Sequence, residues 1–395
     1  MPTNVPVGRD LRLDLFRGIA LWLIFLDHIP FNVVNWVTIR NYGFSDAAEI
    51  FVFISGYTAA FVYARAMREK GPIGASARIL KRAWQVYVAH VFLFVIYLAE
   101  ISYVGAKFDN PLFAEEFNLF GFLRSPDVIL TQALILKFKP VNMDVLPLYI
   151  VLLLAFPPLL WSLLRSPNLA LLGSGILYVL ARKFGWNLPA FPAGKWYFNP
   201  FAWQFLFVFG AWCGLGGVQR LGALFKSRAV LVFCIAYVAF AMVMTLAGHF
   251  PRMHQMIPTW IDRLVNPLDK TNLDPLRFLH FAILAFLTVR YIPRDWPYLK
   301  WSGFRPAIIC GEHSLEIFCL GIFLSFAGHF MLVEISNRAW MQILVSLVGI
   351  LIMIGVAWVM NWYKKLDARG PKSLPPQPAP EPQPAPGRPL AGDTA

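Results

Sequence analysis

Apolar runs of about twenty residues alternate with short polar joints along most of this chain. A bilayer core takes about 20 apolar residues in helix. Runs of that order stand at 13–33, 47–66, 83–104, 145–164, 168–183, 200–218, 229–248, 276–293, 307–332 and 340–363. The pattern therefore predicts an all-α polytopic membrane protein of about ten transmembrane helices. The fifth run is the weakest, being short and interrupted by Gly173 and Gly175. Residues 128–138 are too short to cross and read as re-entrant or interfacial. The first run is too long for the apolar part of a signal peptide, and no small-residue cleavage site follows it, so it reads as a retained span.

Composition agrees with lipid as the solvent. Apolar residues make up 58% of the 395 and charged residues 14%, against roughly 45–50% and 25% in soluble domains. A soluble protein of this size could not hide that much apolar surface. That excludes a disordered chain, a disulfide-stapled secreted domain and an ordinary cytosolic enzyme. The net charge of +13 would suit nucleic acid, but the basic residues lie elsewhere. With the N-terminus inside, 22 of the 35 Lys and Arg fall in cytoplasmic segments, from Arg9, Arg12 and Arg17 through the 65–82 joint to the C-terminus. The bias is strongest in short loops, where the positive-inside rule counts most. Asp109, Glu115, Glu116, Asp127, Asp144, Asp262, Asp269 and Asp274 fall outside. Both termini are thus expected in the cytoplasm. The four cysteines (Cys213, Cys234, Cys310, Cys319) all lie in predicted spans without metal-like spacing, so neither a disulfide framework nor a metal site is expected. The chain divides into a transmembrane domain, 1–365, and a Pro-rich tail, 366–395, which reads as extended and disordered.

Ionisable groups within spans cost roughly 2.5–3.5 kcal/mol each on insertion scales, so each asks for a reason. The first run carries Asp14, Arg17, Asp27 and His28. Eleven residues at 100° each bring His28 to within about 20° of Arg17's face, about 16.5 Å further along the axis. Asp14 is placed for an i,i+3 pair with Arg17. This stripe sets a cation at the cytoplasmic mouth and an imidazole past mid-membrane. The bland alternatives are a snorkelling Arg17 and a His28 satisfied between helices. Asp27 points about 100° away from His28 and cannot easily orient its ring. The second run opens SDAAEIFVFISGY, where Ser45 or Asp46 can cap the helix and Glu49 sits one turn in, at His28's depth. A carboxylate on the imidazole would leave one ring nitrogen free as a base; a structural pair between Glu49 and an outer-loop cation serves equally well. Arg78, Lys81 and Arg82 cluster within about 100° of arc on the third helix and would suit a phosphate-rich ligand, or be the positive-inside signal alone. At the outer surface stand Asp144, then Asn199, Trp203 and Gln204, then Lys270, Asn272, Arg277 and His280. Aromatic faces beside amides hold sugars, and they also form ordinary interfacial belts.

Six segments carry a resemblance: RLDLFRGIALWLIFLDHIP (12–30), FSDAAEIFVFISGY (44–57), MDVLPLYIVLL (143–153), FNPFAWQFLFVFGAW (198–212), DKTNLDPLRFLHF (269–281) and GEHSLEIFCLGI (311–322). Together, and in this order, they resemble the OpgC-type succinyltransferases, inner-membrane proteins that modify osmoregulated periplasmic glucans. The Arg-Gly pair before a His in the first span, with a basic cluster opening the third, more distantly resembles the acyltransferase-3 membrane superfamily. The resemblance implies a bacterial inner-membrane protein that transfers an acyl group, succinyl foremost, from cytoplasmic acyl-CoA to sugar hydroxyls on the periplasmic face. Membrane lipids, the CoA thioester and a periplasmic glucan are then its partners, with no nucleic acid; homo-oligomerisation is left open.

Residue by residue, the resemblance implies His28 as the base; Glu49 and Asp27 join it as catalytic candidates from their own places in the sequence. Arg17 and Asp14 with Arg78, Lys81 and Arg82 would lie on the CoA side. Lys replaces Arg at the second position of the superfamily's R-x-x-R pattern, which leaves Lys81 and Arg82 as alternatives. Asp144, Asn199, Trp203, Gln204, Lys270, Asn272 and Arg277 are the substrate-side candidates. Asn199 or Gln204 would face a developing oxyanion, and Arg277 or Lys270 a succinyl carboxylate. The competing readings are a transporter or flippase of a lipid-linked sugar or anion, the same chemistry on another glycan, and a membrane scaffold.

Overall fold

The computed structural model describes residues 10–108, 122 and 125–367; Arg9, Asp109, Glu115, Glu116 and the tail from 368 onward lie outside the described residues. The described elements are helical, and the β-pairing among them is a single isolated bridge between Pro189 and Lys195. The first helix, α1 (Leu11–Asp27), is capped by Asp10, whose side chain accepts from the Arg12 N–H. It ends at Asp27, six residues short of the predicted run, with His28 as its C-cap, and two 3₁₀ turns, Val33–Val37 and Ile39–Asn41, follow. Next comes a 62-residue helical stretch, α2 (Ala47–Phe108), broken at Gly71, whose φ of 69° a side chain would resist, with Pro72 behind it. Its two arms, 47–70 and 72–108, correspond to the second and third predicted runs. Residues 126–134 form α3 (Pro126–Leu134). Then follow α4 (Val145–Arg165), α5 (Pro167–Phe184), α6 (Pro200–Trp212), α7 (Arg228–His249), α8 (Pro275–Tyr291), α9 (Arg305–Glu312), α10 (Ser314–Glu334) and α11 (Ala339–Asp367).

Many of these starts are written in the sequence. Asn199-Pro200 and Asp274-Pro275 place a capping side chain before a proline at the first helical position. Asn199 accepts from the Phe201 N–H and Asp274 from the Leu276 N–H. Asp46 and Glu49 close a reciprocal box at the head of α2: the Ala48 N–H donates to Asp46 at 2.8 Å and the Asp46 N–H to Glu49 at 2.9 Å. Of the two candidate caps, Asp46 is the one used; Ser45 bonds His280 instead.

Six described helices are long and apolar enough to cross a membrane, the 47–105 stretch and 200–220 among them. α1 and α8, at 17 residues each, are shorter, and the ninth predicted run is split at His313 into α9 and α10. Segment 128–138 dips into the bundle. The Tyr87 hydroxyl donates to the Leu134 carbonyl at 2.9 Å and the Tyr97 hydroxyl to the Val141 carbonyl at 3.4 Å. Ten helical residues separate those tyrosines, so the chain climbs about 15 Å between residues 134 and 141.

Close helix crossings are made by paired glycines. A Cβ on Gly18 would stand 1.8 Å from the Ala307 carbonyl oxygen, and one on Gly311 1.9 Å from that of Asp14, so α1 and α9 touch backbone to backbone. Gly56 and Gly210 do the same for α2 and α6, against Phe207 and Phe53. The apolar core runs continuously through α1, α2, α4, α6, α10 and α11. At one end Arg12 ties α1 to the Ile292 carbonyl at 2.8 Å, and Arg294 stands 3.9 Å from Asp10. The opposite end gathers His28, the head of α2, the loop before α4 and the loop before α8.

Candidate active site

His28 caps the C-terminus of α1, and its Nδ1 lies 2.5 Å from the Ile24 carbonyl oxygen. A carbonyl only accepts, so Nδ1 carries the proton and Nε2 keeps its lone pair. This is the tautomer a general base needs. The helix itself sets it, not Glu49 as the sequence reading expected. Both Glu49 oxygens are occupied: Oε1 by Arg277 (2.7 Å to Nη2, 2.9 Å to Nε), Oε2 by the Asp46 N–H. Asp27 accepts from the Thr38 hydroxyl at 2.8 Å, with Arg40 3.9 Å away. From the loop before α4, the Asn142 amide donates to the His28 carbonyl at 3.4 Å.

Beside the imidazole lies a buried four-charge network. Asp46 binds Lys270 at 2.6 Å and Arg277 at 3.0 Å, and Arg277 bridges on to Glu49. Burial works against a charged Asp46, but the Lys270 ammonium and Arg277 guanidinium override it and hold the carboxyl below the ordinary carboxylate range. Burial likewise pulls the Lys270 ammonium down, and Asp46 more than offsets it. Two cations meet two carboxylates here, so neither Lys270 nor Arg277 has a charge to spare for an acyl carboxylate.

The outer amides are also committed. Asn199, fully buried, gives its two N–H bonds to the Trp186 carbonyl (2.6 Å) and the Asn272 side chain (2.7 Å). Asn272 in turn donates to Asp269 at 2.7 Å. Gln204 pairs reciprocally with Ser174, at 2.6 and 2.9 Å. The Trp203 indole donates to the Lys270 and Thr271 carbonyls at 3.1 and 3.2 Å. These residues sew the loop before α8 onto α6, and the two amides offer no free donor for an oxyanion. Asp144 differs. It precedes α4 without a side-chain cap bond, and burial pushes its carboxyl up to about 6 against the pull of Lys139 and Lys270.

Toward the other end, Arg17 donates to the Thr58 hydroxyl at 2.8 Å and the Ile54 carbonyl at 3.3 Å. It lines a cavity of about 140 Å³ together with Ser55, Tyr63, Arg82, Tyr149 and Ser314. Arg17 and Arg82, distant in sequence, thus share one space. Arg82 reaches it and holds Gln85 at 3.3 Å, whereas Arg78 and Lys81 are exposed. Asp14 is buried where α1 meets α9. Sequence reasoning missed Ser55, Thr58, Tyr63, Tyr149, Ser314 and Asn142. Ser55 and Thr58 carried a signal, hydroxyls three residues apart inside an apolar run; Ser314 closes the polar cluster Gly311-Glu312-His313-Ser314 where the helix breaks.

Apolar membrane-length helices, with a cavity lined by Arg17 and Arg82 and a lone-pair imidazole toward the far end, define a multi-pass membrane protein. The family model described as OpgC protein matches residues 9–365, and the chain belongs to that family. Membership points to a glucan-modifying membrane acyltransferase. No curated protein and no solved structure matches the chain.

Proposed function

We propose that this protein is an inner-membrane O-acyltransferase that moves a succinyl group from cytoplasmic succinyl-CoA to hydroxyls of a periplasmic glucan. The observation that carries the reading is the α1 stripe itself. Arg17 opens into a cavity it shares with Arg82, and His28, about 16.5 Å along the same helix, presents an unprotonated Nε2. The 3′-phosphate and pyrophosphate of the donor rest on Arg82 and its basic neighbours, and the pantetheine arm passes Arg17, Thr58 and Tyr149 toward His28. His28 Nε2 takes the proton of the glucan hydroxyl. That oxygen attacks the thioester carbonyl, the carbon–sulfur bond breaks, and the CoA thiolate leaves with the proton from the imidazolium. Such a base contributes typically 10²–10⁴-fold. Asp144 accepts from acceptor hydroxyls at the outer mouth. Ten passes with both termini in the cytoplasm put Arg82 and His28 on the sides this reaction requires, and the tail from 366 stays cytoplasmic.

The test is transfer of labelled succinyl from succinyl-CoA to a linear β-glucan by the purified full-length protein. His28→Ala, correctly folded, abolishes it. Full activity in that variant refutes the mechanism. Stabilisation of the protein by CoA in detergent separates this reading from a flippase, which has no reason to bind CoA.

A further inference from the structure

Lys139 sits on the climbing strand of the dipping segment 126–141, half-buried, where the head of α4, the loop before α6 and the second arm of α2 converge. Its ammonium lies 4.0 Å from the centroid of the Trp196 ring and donates to the Leu136 carbonyl at 3.2 Å. The other buried or half-buried cations at the His28 end have carboxylates: Lys270 and Arg277 share Asp46, and Arg182 has Asp274 at 3.4 Å. Among the described residues Lys139 has none within 4 Å. Two further buried groups around it are short of partners. The Trp196 indole N–H (residue 4% exposed) and His90 Nδ1 (2% exposed) make no hydrogen bond among the described residues. An indole N–H can only donate, and so can an ammonium. The indole N–H is thus a buried donor without an acceptor, which calls for one, and the Lys139 ammonium, bonded to a single carbonyl, has further N–H groups to give. The backbone is bent to hold this arrangement: Leu136 and Asn142, on either side of Lys139, have φ of 62° and 72°, a region bulky side chains avoid. Asn142, three residues on, is the residue that touches the His28 carbonyl.

We propose that Lys139, with the Trp196 indole N–H, binds a free carboxylate at the distal end of the transferred acyl group and so selects a dicarboxylic half-thioester over a simple acyl donor. This rests on the acyl-transfer reading above and deepens it. It takes the place of the pairing with Lys270 or Arg277 that the sequence suggested, both of which already hold carboxylates here. Burial pulls the Lys139 ammonium down to about 8, with Asp144 opposing, a cost an entering carboxylate would relieve.

The experiment measures binding and turnover separately on full-length protein in detergent, with succinyl-CoA and acetyl-CoA as the probes. His28→Ala keeps the wild-type preference for succinyl-CoA in thermal stabilisation. Lys139→Met lowers the succinyl-to-acetyl ratio in both stabilisation and kcat/KM roughly 10- to 100-fold, the worth of a charged hydrogen bond. Lys139→Arg restores most of that ratio, and Trp196→Phe, which keeps the ring but loses the N–H, lowers it by about 5-fold. An unchanged ratio in Lys139→Met overturns the proposal while leaving acyl transfer standing. So does a loss of both donors in equal proportion, which would mark Lys139 as merely structural. A succinyl preference in binding that depends on Lys139, without any transfer by wild type, upholds the carboxylate site and refutes the transferase.

Discussion

Single residues divide sharply here between those that hold the fold and those left open to a ligand. Arg277 and Glu49 belong to the first group. Arg277→Ala strands Glu49, leaves Asp46 with Lys270 alone and costs about 3–5 kcal/mol, read as a drop in unfolding temperature. Glu49→Gln costs less, and the double variant less than the sum of the singles. Asp144 belongs to the second. Its carboxyl binds a proton more tightly in the folded state than in the unfolded chain, so ionisation disfavours the fold as pH rises from about 4 to 6. Asp144→Asn therefore raises the unfolding temperature at pH 7.5 and leaves it near the wild-type value at pH 4; the opposite order would show that the carboxylate is stabilised. Arg82→Ala raises the KM for succinyl-CoA more than Lys81→Ala does, because Arg82 alone of that pair reaches the cavity. His28 and Arg17 could be placed on α1 by helical periodicity and depth, whereas the choice between Lys81 and Arg82 needed the cavity that Arg82 lines. The commitments of Asn199, Gln204 and Glu49 were not legible in the sequence. Whether an amide is free depends on partners 30 to more than 200 residues away, such as Ser174, Asn272 and Arg277.

At the scale of elements, apolar run length gave the helices but not their interruptions. The run at 307–332 breaks at His313, inside the polar cluster Gly311-Glu312-His313-Ser314 that run length alone passes over. The run at 128–138 announced itself by being too short to span, yet the contacts of this region with Tyr87 and Tyr97 are tertiary. Glycine shows the same limit. Gly56 and Gly173 look alike in sequence, but a Cβ on Gly56 would stand 2.0 Å from the Phe207 carbonyl oxygen, while one on Gly173 meets open space. Gly56→Val accordingly forces α2 from α6 and sharply lowers the yield of folded protein. Gly173→Ala is neutral or stabilises by about 0.4–1 kcal/mol. Equal effects of the two would discount the backbone crossing.

The molecule as a whole joins two chemically different ends through one helix. The basic end carries Arg12, Arg294 and the 65–82 joint, and the other end holds His28 beside a network whose charges cancel. On the proposed function, this asymmetry would orient the chain in a bilayer and take an anionic donor at one end and a hydroxylated acceptor at the other. The most direct test uses the full-length protein reconstituted into vesicles in one orientation, with labelled succinyl-CoA on one side and β-glucan on the other. Labelled glucan should accumulate only when the donor faces the basic end, and should vanish with His28→Ala. Transfer that ignores the side of the donor, or that survives loss of His28, would contradict a passage of acyl groups along α1.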